Sequence, residues 1–503
     1  MKKFLTLFFL GFTSTMVAQQ SNYEMAWKAL SENKRSEAAS LLSAAEKEPA
    51  SFPDAYISKI YLATYNGKEK GITDFNTAFY SVVDNPYPYI YALWLNQAVM
   101  GPTGKKAADH QVKLAELLIK DEKAPGTLVG SANYQKGMHM LFSNEFEKAQ
   151  LYYDAIGNIR NWQYTGPFEN LSESGFYKNY GPPDHAEPNA VFTSLTNAPV
   201  KWITPTAEIK DGWTPVCYQF NNQTAVVYAQ NFISSESDQK VLCNIGASGS
   251  VKVWINDELL ISESTERVTE MDTYSVECEL KKGTNRVLIQ LGFSNSTYPN
   301  FNLRFTDNRL RPIPNIKGSA TYAAYPKVNS PAKQLKTILP FAETFFTDRI
   351  SNQPSNLVNY LLLADVYLRN KKVIEARNIL TKAMEQAPGN CLLKMKMAEV
   401  LIKESNRTLL LEELEKIKQA DPESLVVLDI DIKEMYDNQK YEDMEVALRK
   451  RISLFGEDET TTGYKILLLV QEKKYEEMMK EAEKAYEKYP ENAKIVEMMY
   501  SIK

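Results

Sequence analysis

A fixed spacing near the C-terminal end constrains the fold of this chain more than any other sequence feature. Four prolines and one glycine recur at a constant interval: Pro354, Pro388, Pro422, Gly456 and Pro490. A constant interval of about 34 residues is typical of stacked helical hairpins, in which each repeat forms two helices and a turn. Proline suits the turn because it cannot continue the preceding helix. The spacing therefore predicts an array of paired helices over residues 334–503.

The segment between Leu357 and Asn390 resembles the tetratricopeptide repeat (TPR) family. The matching positions are Tyr360, Leu363, Ala364, Tyr367, Ala376, Leu380, Ala383 and Pro388. Small residues allow two helices to cross closely, and larger ones fill the space around the crossing. Later repeats keep Ala398 with Pro422, and Ala485 with Pro490. The resemblance implies an α-solenoid whose concave groove receives a protein or peptide partner.

Residues 19–157 show helical periodicity with less regular breaks. Ala26, Ala38 and Ala45 stand at repeat spacing, and Pro49 arrives one residue early. We interpret this region as a divergent TPR-like helical domain, with a generic all-α bundle as the alternative. His139 has apolar neighbours in this region, which favours a structural histidine over a catalytic one.

The hydrophobic period changes from helical to alternating at about residue 158. Several short segments alternate apolar and polar residues, as in residues 251–256, and predict an antiparallel β-sandwich over residues 158–310. We expect the glycine-rich residues 246–250 to form a hairpin turn between two strands, and we expect further turns at Asn256–Asp257 and at Gly283.

Three segments of this region, SGSVKVWINDELL, LKKGTNRVLIQLG and NFNLRF, resemble the galactose-binding-like jelly-roll modules of secreted glycoside hydrolases. The fold alone does not establish sugar binding, because the binding loops of such modules vary. Residues 311–333 are rich in proline and asparagine, and we expect this linker to pack along the C-terminal repeats or to act as a stiff spacer.

The candidate ligand-binding residues are aromatic: Trp213, Tyr298, Trp254 and Trp202. An aromatic ring offers a flat apolar platform to the C–H face of a pyranose. The favoured alternative is that these rings pack the β region or its contact with the helices, where large aromatic residues supply much of the packing energy. Trp213 and Tyr298 stand beside Gly212 and Pro299 in predicted loops, which makes them the stronger sugar candidates.

The order of the parts resembles the N-terminal half of exported bacterial transglutaminase-like proteins. Such a catalytic domain needs a Cys/His/Asp arrangement, whereas Cys391 lies in the repeats and no histidine follows His185. The resemblance therefore implies that this chain lacks the catalytic half. The three histidines, His110, His139 and His185, are far apart in sequence, so we expect no metal site and no cofactor.

We expect no enzyme activity, because the sequence contains no nucleophile elbow, phosphate-binding loop, dinucleotide fingerprint or C-x-x-C motif. A glycosidase needs only two carboxylates, and the 63 acidic residues leave that possibility open. Charge is nearly balanced, with a net of -5, and gives no reason to expect a nucleic-acid partner.

Residues 1–18 have the composition of a secretory signal peptide, with two lysines, an apolar run and small Ala18 near the expected cleavage site. A membrane anchor is the alternative, but the apolar run is shorter than the roughly 20 residues that a bilayer span needs. We expect an exported protein, periplasmic or extracellular, with no integral membrane segment. The four cysteines, Cys217, Cys243, Cys278 and Cys391, are expected to be free, with one bridge among the first three as the alternative.

Together these features predict an exported, non-catalytic binding or scaffold protein that uses TPR grooves for protein or peptide partners and carries an accessory β-sandwich. The first alternative is a carbohydrate-binding protein of the periplasm or cell surface. The second is a glycoside hydrolase or an accessory subunit of a transglutaminase-like system.

Overall fold

The computed structural model describes residues 21–67, 75, 79–94, 96, 105–206, 211–328, 337–490 and 492–502. Within these residues, a central region of antiparallel strands is preceded by helices and followed by a run of helices. The predicted combination of helical and β regions is therefore confirmed. The predicted signal peptide, residues 1–18, lies outside the described residues. In the part of the chain that the structure describes, no helix combines the length and the hydrophobicity that crossing a bilayer requires.

The described helices before the strands are α1 (Asn22–Ser31), α2 (Arg35–Ala45), α3 (Phe52–Tyr65), α4 (Tyr87–Ala92), α5 (Lys105–Lys120), α6 (Gly126–Phe142) and α7 (Phe146–Asp154). Helix α1 begins with a capping box, in which Ser21 Oγ accepts from Glu24 N at 3.2 Å and Glu24 Oε2 accepts from Ser21 N at 3.0 Å. These bonds satisfy donors that a helix start otherwise leaves without partners.

The strands are β1 (Gln163–Phe168), β2 (Phe192–Thr193), β3 (Pro199–Val200), β4 (Thr214–Pro215), β5 (Ala225–Ser235), β6 (Gln239–Ile255), β7 (Glu258–Val268), β8 (Tyr274–Leu280), β9 (Gly283–Phe293) and β10 (Asn300–Thr306). They pair in the order β1-β5-β9-β6-β10-β4, while β7 and β8 also pair with β6 and a separate pair joins β2 to β3. Side chains of β5, β6, β8, β9 and β10 form one hydrophobic cluster, which is the core of this region.

The hairpin turn predicted at residues 246–250 is wrong, because β6 runs through this segment without interruption. The first part of β6 pairs with β8 and β10, and its last part pairs with β7 and β9. The glycines let neighbouring backbone approach closely: a Cβ on Gly249, where φ is +146°, would lie 2.3 Å from Gly292 O. Glycine here serves a close approach inside a strand and does not end the strand.

The other predicted turns are confirmed. Asn256 and Asp257 have φ angles of +53° and +69° and join β6 to β7. Gly283, with φ of +93°, begins β9 directly after the turn from β8. Asparagine, aspartate and glycine tolerate positive φ better than other residues, which is why these tight turns were recognisable.

The helices after the strands are α8 (Phe341–Asn352), α9 (Val358–Arg369), α10 (Val373–Gln386), α11 (Cys391–Lys403), α12 (Arg407–Ala420), α13 (Leu425–Asp437), α14 (Tyr441–Phe455), α15 (Glu459–Gln471), α16 (Tyr475–Lys488) and α17 (Ala493–Ile502). Each proline of the regularly spaced series lies just past a helix end, and Gly456 directly follows α14 with φ of +83°. The predicted run of helices over residues 357–490 is confirmed, and no strand occurs there.

Small residues lie buried where α9 and α10 pack together, as their spacing predicts. Ala364, Ala376 and Ala383 are fully buried. The Tyr360 hydroxyl donates to Pro354 O at 2.9 Å, which holds the start of α9 against the preceding turn. Tyr367 is half-buried and packs against the same core. The later alanines of the series, Ala398 and Ala485, are buried as well, whereas Pro388, Pro422 and Pro490 are exposed at the turns.

The helices on the two sides of the β region share one hydrophobic core. This cluster contains residues of α1 to α3, such as Ile57, together with residues of α9 and α11, such as Leu361 and Leu393. Arg349 of α8 also reaches across to Asp54 of α3, with Nη2 at 2.8 Å and 2.7 Å from the two carboxylate oxygens. Nothing in the sequence pattern indicated that these distant helices pack together.

Residues 317–325 pack against β5, although the sequence predicted packing along the repeats or a stiff spacer. Ser319 exchanges backbone hydrogen bonds of 2.9 Å and 3.1 Å with Phe232. The rings of Tyr322 and Tyr325 lie 5.4 Å and 6.2 Å from the Phe232 ring, so the segment is fixed to the strands by aromatic contacts. Residues 329–333 of the predicted linker lie outside the described residues.

Buried cations connect the helices to the β region. Arg369 of α9 donates to Tyr91 O at 2.8 Å, pairs with Glu270 at 3.1 Å, and lies 4.0 Å from the Tyr91 ring centroid. Arg304 of β10 pairs with Asp272, and Thr127 of α6 also donates to Asp272, at 2.5 Å. Three separate parts of the sequence therefore meet at these two guanidinium groups.

Candidate functional site

A concave groove lies between α3 and the first helices of the C-terminal pairs, α9, α11, α13 and α15. It encloses a cavity of about 570 Å³. Tyr61 and Tyr65 of α3 form one side, and residues of the four C-terminal helices form the other. We call this surface the α3 groove.

The side chains that line the α3 groove are spaced as one face of each helix. On α11 they are Leu392, Met395, Lys396 and Glu399, which follow the i, i+3, i+4, i+7 pattern of a single helix face. The start of α11 is fixed by Asn390, whose Oδ1 accepts from Leu392 N at 3.0 Å and from Leu393 N at 3.2 Å. The cap therefore sets where this face begins.

An ammonium group shared by two carboxylates lies at one part of the groove. Lys396 Nζ is 2.7 Å from Asp365 Oδ1 and 2.7 Å from Glu399 Oε2. The Tyr61 hydroxyl of α3 donates to Asp365 Oδ2 at 2.5 Å. The Asp365 and Lys396 side chains are each 14% exposed, whereas Glu399 is 44% exposed, and both Lys396 and Glu399 line the cavity.

The pKa shifts of this cluster favour the charged forms of Lys396 and Glu399 and a neutral phenol at Tyr61. Burial raises the pKa of Asp365, and the Lys396 charge only partly opposes this. Burial alone lowers the pKa of Lys396, but its two carboxylate partners outweigh burial and raise it. Burial also raises the pKa of Glu399, but attraction to Lys396 prevails and lowers it. Tyr61 has a strongly raised pKa because it is buried beside the Asp365 carboxylate.

A second shared cation lies along the groove at α13. Arg451 of α14 pairs with Asp429 of α13 through Nε, and its Nη2 is 2.8 Å from Asp458 Oδ2. The Arg451 side chain is only 2% exposed, whereas Asp429 is 34% and Asp458 45% exposed. Asp458 also caps α15 by accepting from Thr461 N at 2.9 Å. Both clusters thus place one buried cation between two carboxylates, and in the first cluster Glu399 also lies 3.9 Å from Lys403 Nζ.

The remaining wall of the α3 groove is mostly apolar, and its apolar side chains include Leu361, Leu392, Met395, Leu425, Val426 and Ile430. In the described part of the chain, no group of three histidine, cysteine or acidic side chains is arranged to hold a metal ion. An apolar cavity with a few convergent polar groups is suited to binding a ligand.

The aromatic residues that the sequence singled out do not form one platform. Trp202 is buried, donates to His185 O at 3.1 Å, and packs edge-on against Phe192 with ring centroids 5.7 Å apart. Trp254 is half-buried against the same cluster. Both rings therefore contribute to packing beside the strands.

The other two aromatic candidates lie elsewhere. Trp213 is half-buried against a cluster that contains Ile156 and Met271, where the helices meet the strands. Tyr298 is 41% exposed, and its ring lies 6.4 Å from that of Tyr218, which is 63% exposed. Tyr298 is thus the one of the four with substantial access to solvent.

Cys243 and Cys278 lie on the paired strands β6 and β8 and share one core, whereas the described histidines lie on other parts of the chain. His139 is half-buried in α6, and His185 is exposed, while the side chain of His110 lies outside the described set. All four cysteines are free, and Cys243, Cys278 and Cys391 are buried.

Sequence reasoning missed the charged residues of the α3 groove. These charged residues stand at positions that recur at the repeat interval. Asp365, Glu399 and Lys433 occupy one such position in successive repeats, and Leu361, Met395 and Asp429 occupy another. All of these but Asp365 line the cavity directly, and Asp365 is held against it by Lys396. The same interval that revealed the buried alanines therefore carried a signal for the groove, at positions where residue type varies.

Comparison with known proteins finds no matching family model and no matching curated protein. Two solved structures of a β-glucosidase from Kluyveromyces marxianus show a weak likeness, one selenomethionine-labelled and one in complex with glucose. The first is 17% identical over 19% of this chain and 13% of that protein, with a TM-score of 0.17. The second is 15% identical over 30% of this chain and 18% of that protein, with a TM-score of 0.19. The chain thus spans less than a fifth of the β-glucosidase, and neither likeness supports a conclusion about function.

Proposed function

We propose that this protein is an exported, non-catalytic binding or scaffold protein that receives a protein or peptide segment in the α3 groove. The observation that carries the proposal is the groove itself, a cavity of about 570 Å³ with a largely apolar wall. Its lining positions recur at the repeat interval on successive first helices, so the site belongs to the repeat and extends along it.

The proposal includes a finer description of the fold. The C-terminal helices form a TPR-like α-solenoid, in support of which prolines follow α8, α10, α12 and α16 at a constant interval. The β region is a jelly-roll module similar to the galactose-binding-like ones, supported by antiparallel strands that share one core. Export rests on the sequence of residues 1–18, which has the composition of a signal peptide.

A library of random peptides displayed on phage tests the proposed function. We expect the protein starting at residue 19 to enrich peptides, and the variant Ile430→Trp to enrich none, because the larger side chain fills the cavity that Ile430 lines. Val446→Trp is the matched control, since Val446 is 67% exposed on α14, outside the groove. Thermal melting verifies that both variants fold, and Met395→Trp is a second way to fill the cavity if Ile430→Trp does not fold.

Two outcomes would overturn this function. One is that the wild-type protein enriches no peptide. The other is that folded Ile430→Trp and Met395→Trp enrich the same peptides as the wild type.

One observation favours carbohydrate binding as a second candidate function. Tyr298 and Tyr218 form an exposed aromatic pair, 41% and 63% accessible, at the end of the β region near β10. Binding on a glycan array that is lost in Tyr298→Ala and kept in Tyr177→Ala would support it, because Tyr177 is 76% exposed and its ring packs against Phe176 and not against this pair. No glycan bound by the wild type would remove this candidate.

A further inference from the structure

We infer that a second cavity of this protein binds a small, uncharged, largely aromatic molecule through a carbonyl oxygen. This cavity has a volume of about 520 Å³ and is lined by residues of α3, α4 and α8 and of the turns before α3 and α4. Cavities of this size suit small organic ligands. None of the described residues lines both this cavity and the α3 groove, so the inference does not rest on the proposed function. We call it the α8 cavity.

A buried hydroxyl in the α8 cavity has no partner among the described residues. Tyr89 of α4 lines the cavity and is 2% exposed. Its ring is fixed edge-on against Phe79 and Phe345, with centroids 5.2 Å and 5.7 Å apart. Burial and the Asp54 charge raise the pKa of Tyr89, so the phenol stays protonated and can donate. Since buried hydroxyls are nearly always hydrogen-bonded, a ligand in the cavity is the partner that this one requires.

Arg349 of α8 supplies further donors to the same cavity. A guanidinium carries five N–H groups, of which Nε and Nη2 hold three. Arg349 Nε donates to Asn359 Oδ1 at 2.9 Å, and Nη2 donates to the two Asp54 oxygens at 2.8 Å and 2.7 Å. Nη1 makes no hydrogen bond within the described chain, and the side chain is 30% exposed and lines the cavity. The Arg349 charge also acts on the Tyr89 pKa, so the two donors lie near each other and suit one acceptor oxygen.

The local charges favour an uncharged acceptor. Asp54 already holds the Arg349 guanidinium through both carboxylate oxygens, so a carboxylate ligand would approach a like charge. The other charged residues of the lining are paired or exposed: Glu46, which pairs with Lys59, and Lys47 and Asp84 at the surface. Exposed charges are weakened by water and salt. A carbonyl oxygen accepts from Tyr89 and Arg349 without adding a charge.

The walls of the α8 cavity favour an aromatic body. Phe52 of α3 and Phe345 of α8 both line it, and each side chain is half-buried. Val82 and Val83, which precede α4, add aliphatic surface. Aromatic ligand groups pack well against such rings in offset or edge-on arrangements. A carbonyl flanked by aromatic rings therefore matches both the donors and the walls.

The test compares three fluorinated probes that share two aromatic rings. In 4,4′-difluorobenzophenone a carbonyl joins the rings, in bis(4-fluorophenyl)methane a methylene replaces it, and bis(4-fluorophenyl)acetate carries a carboxylate. Fluorine NMR titration measures the Kd of each probe for the protein starting at residue 19. We expect the ketone to bind about fivefold or more tightly than the methane, as one hydrogen bond of about 1 kcal/mol provides, and more tightly than the acetate.

Tyr89→Phe removes the hydroxyl and keeps the ring. We expect this variant to bind the ketone about fivefold more weakly and the methane unchanged. It should melt no lower than the wild type, because the described chain gives the hydroxyl no partner to lose. Tyr87→Phe is the matched control on the same helix, since the Tyr87 hydroxyl donates to Asp121 Oδ2 at 2.8 Å and Tyr87 does not line the cavity.

A cavity-filling variant locates the bound probe. Val83→Trp should weaken binding of both the ketone and the methane, because the larger side chain takes up space in the α8 cavity. Val191→Trp is its control, since Val191 is 56% exposed before β2. Thermal melting verifies that both variants fold, and Val83→Met replaces Val83→Trp if that variant does not.

Several results would overturn the inference. They are the absence of binding by all three probes, equal binding of the ketone and the methane, tightest binding of the acetate, and ketone binding that is unchanged in Tyr89→Phe or in the folded Val83 variant. A lower melting temperature of Tyr89→Phe would also overturn it, because the hydroxyl would then have a partner inside the protein. Peptide binding in the α3 groove is measured separately, and Ile430→Trp should leave the ketone Kd unchanged.

Discussion

We expect Arg304→Met to destabilise the contact between the β region and the N-terminal helices by about 3–5 kcal/mol, the cost of leaving a buried charge without its partner. Arg304 is fully buried, and the Asp272 side chain is 2% exposed. Arg304 Nε donates to Asp272 Oδ1 at 2.7 Å, and its other nitrogens donate to Ile156 O at 3.1 Å and Leu310 O at 3.2 Å. Methionine has a similar length but donates no hydrogen bond.

The size of the effect comes mainly from the stranded carboxylate. Each carbonyl that loses a donor adds less, about 0.5–1.5 kcal/mol, because the hydrogen bond of a neutral acceptor contributes only that much net. Replacing both charges by apolar side chains, in Arg304→Met/Asp272→Leu, removes the stranded carboxylate. We therefore expect the double variant to be more stable than Arg304→Met by about 2 kcal/mol or more, even though Thr127 then loses its acceptor.

Native-state hydrogen exchange of the β10 amides measures this effect locally. The opening free energies of the wild type, both single variants and the double variant form a double-mutant cycle. Arg309→Met is the control, since Arg309 is exposed after β10. A loss below about 1 kcal/mol in Arg304→Met, or a double variant that costs the sum of the two single ones, would refute the reasoning.

Three further predictions concern stability. Trp202→Ala is expected to lower the free energy of unfolding by about 3–5 kcal/mol, because the indole is buried and hydrogen-bonded. Tyr298→Ala is expected to lower it by less than about 0.5 kcal/mol, because the phenol is 41% exposed. Equal shifts of the two variants in thermal melting would contradict this. Ala383→Leu overfills a fully buried helix crossing and is expected to cost about 1–3 kcal/mol in urea unfolding, so an unchanged midpoint would be evidence against that packing. Burial opposes ionisation of Asp458, but hydrogen bonds from Arg451 and from the α15 backbone prevail and lower its pKa. A lowered carboxylate pKa contributes stability above the pKa of the unfolded chain, and this is lost as pH falls through the folded pKa. The gap in urea midpoint between the wild type and Asp458→Asn should therefore shrink between about pH 5 and pH 3, and a constant gap would contradict the assignment.

Local sequence signals predicted the elements that depend on local chemistry. Pro388 and Pro422 end α10 and α12 because a proline lacks the amide hydrogen that a helix needs. Asn256 and Asp257 form the β6–β7 turn because their side chains tolerate positive φ. These properties belong to single residues and act wherever the residue stands.

The error at residues 246–250 has a different cause. A glycine-rich segment permits either a turn or a close approach between neighbouring backbones, and the sequence does not distinguish them. The segment serves a close approach and not a turn, because Gly292 O of β9 would lie 2.3 Å from a Cβ on Gly249. That neighbour belongs to a strand far from β6 along the chain, beyond both β7 and β8.

The candidate site also combines features that the sequence predicts with features that depend on the tertiary structure. Sequence spacing alone determined that α9, α11, α13 and α15 present corresponding faces, because identical intervals place residues on the same side of successive hairpins. Only the tertiary structure decided that α3 covers part of these faces and closes the α3 groove. The contact between Tyr61 and Asp365 joins residues 304 positions apart, and pairings of this range depend on which apolar surfaces meet when the whole chain folds, a choice that no local pattern encodes.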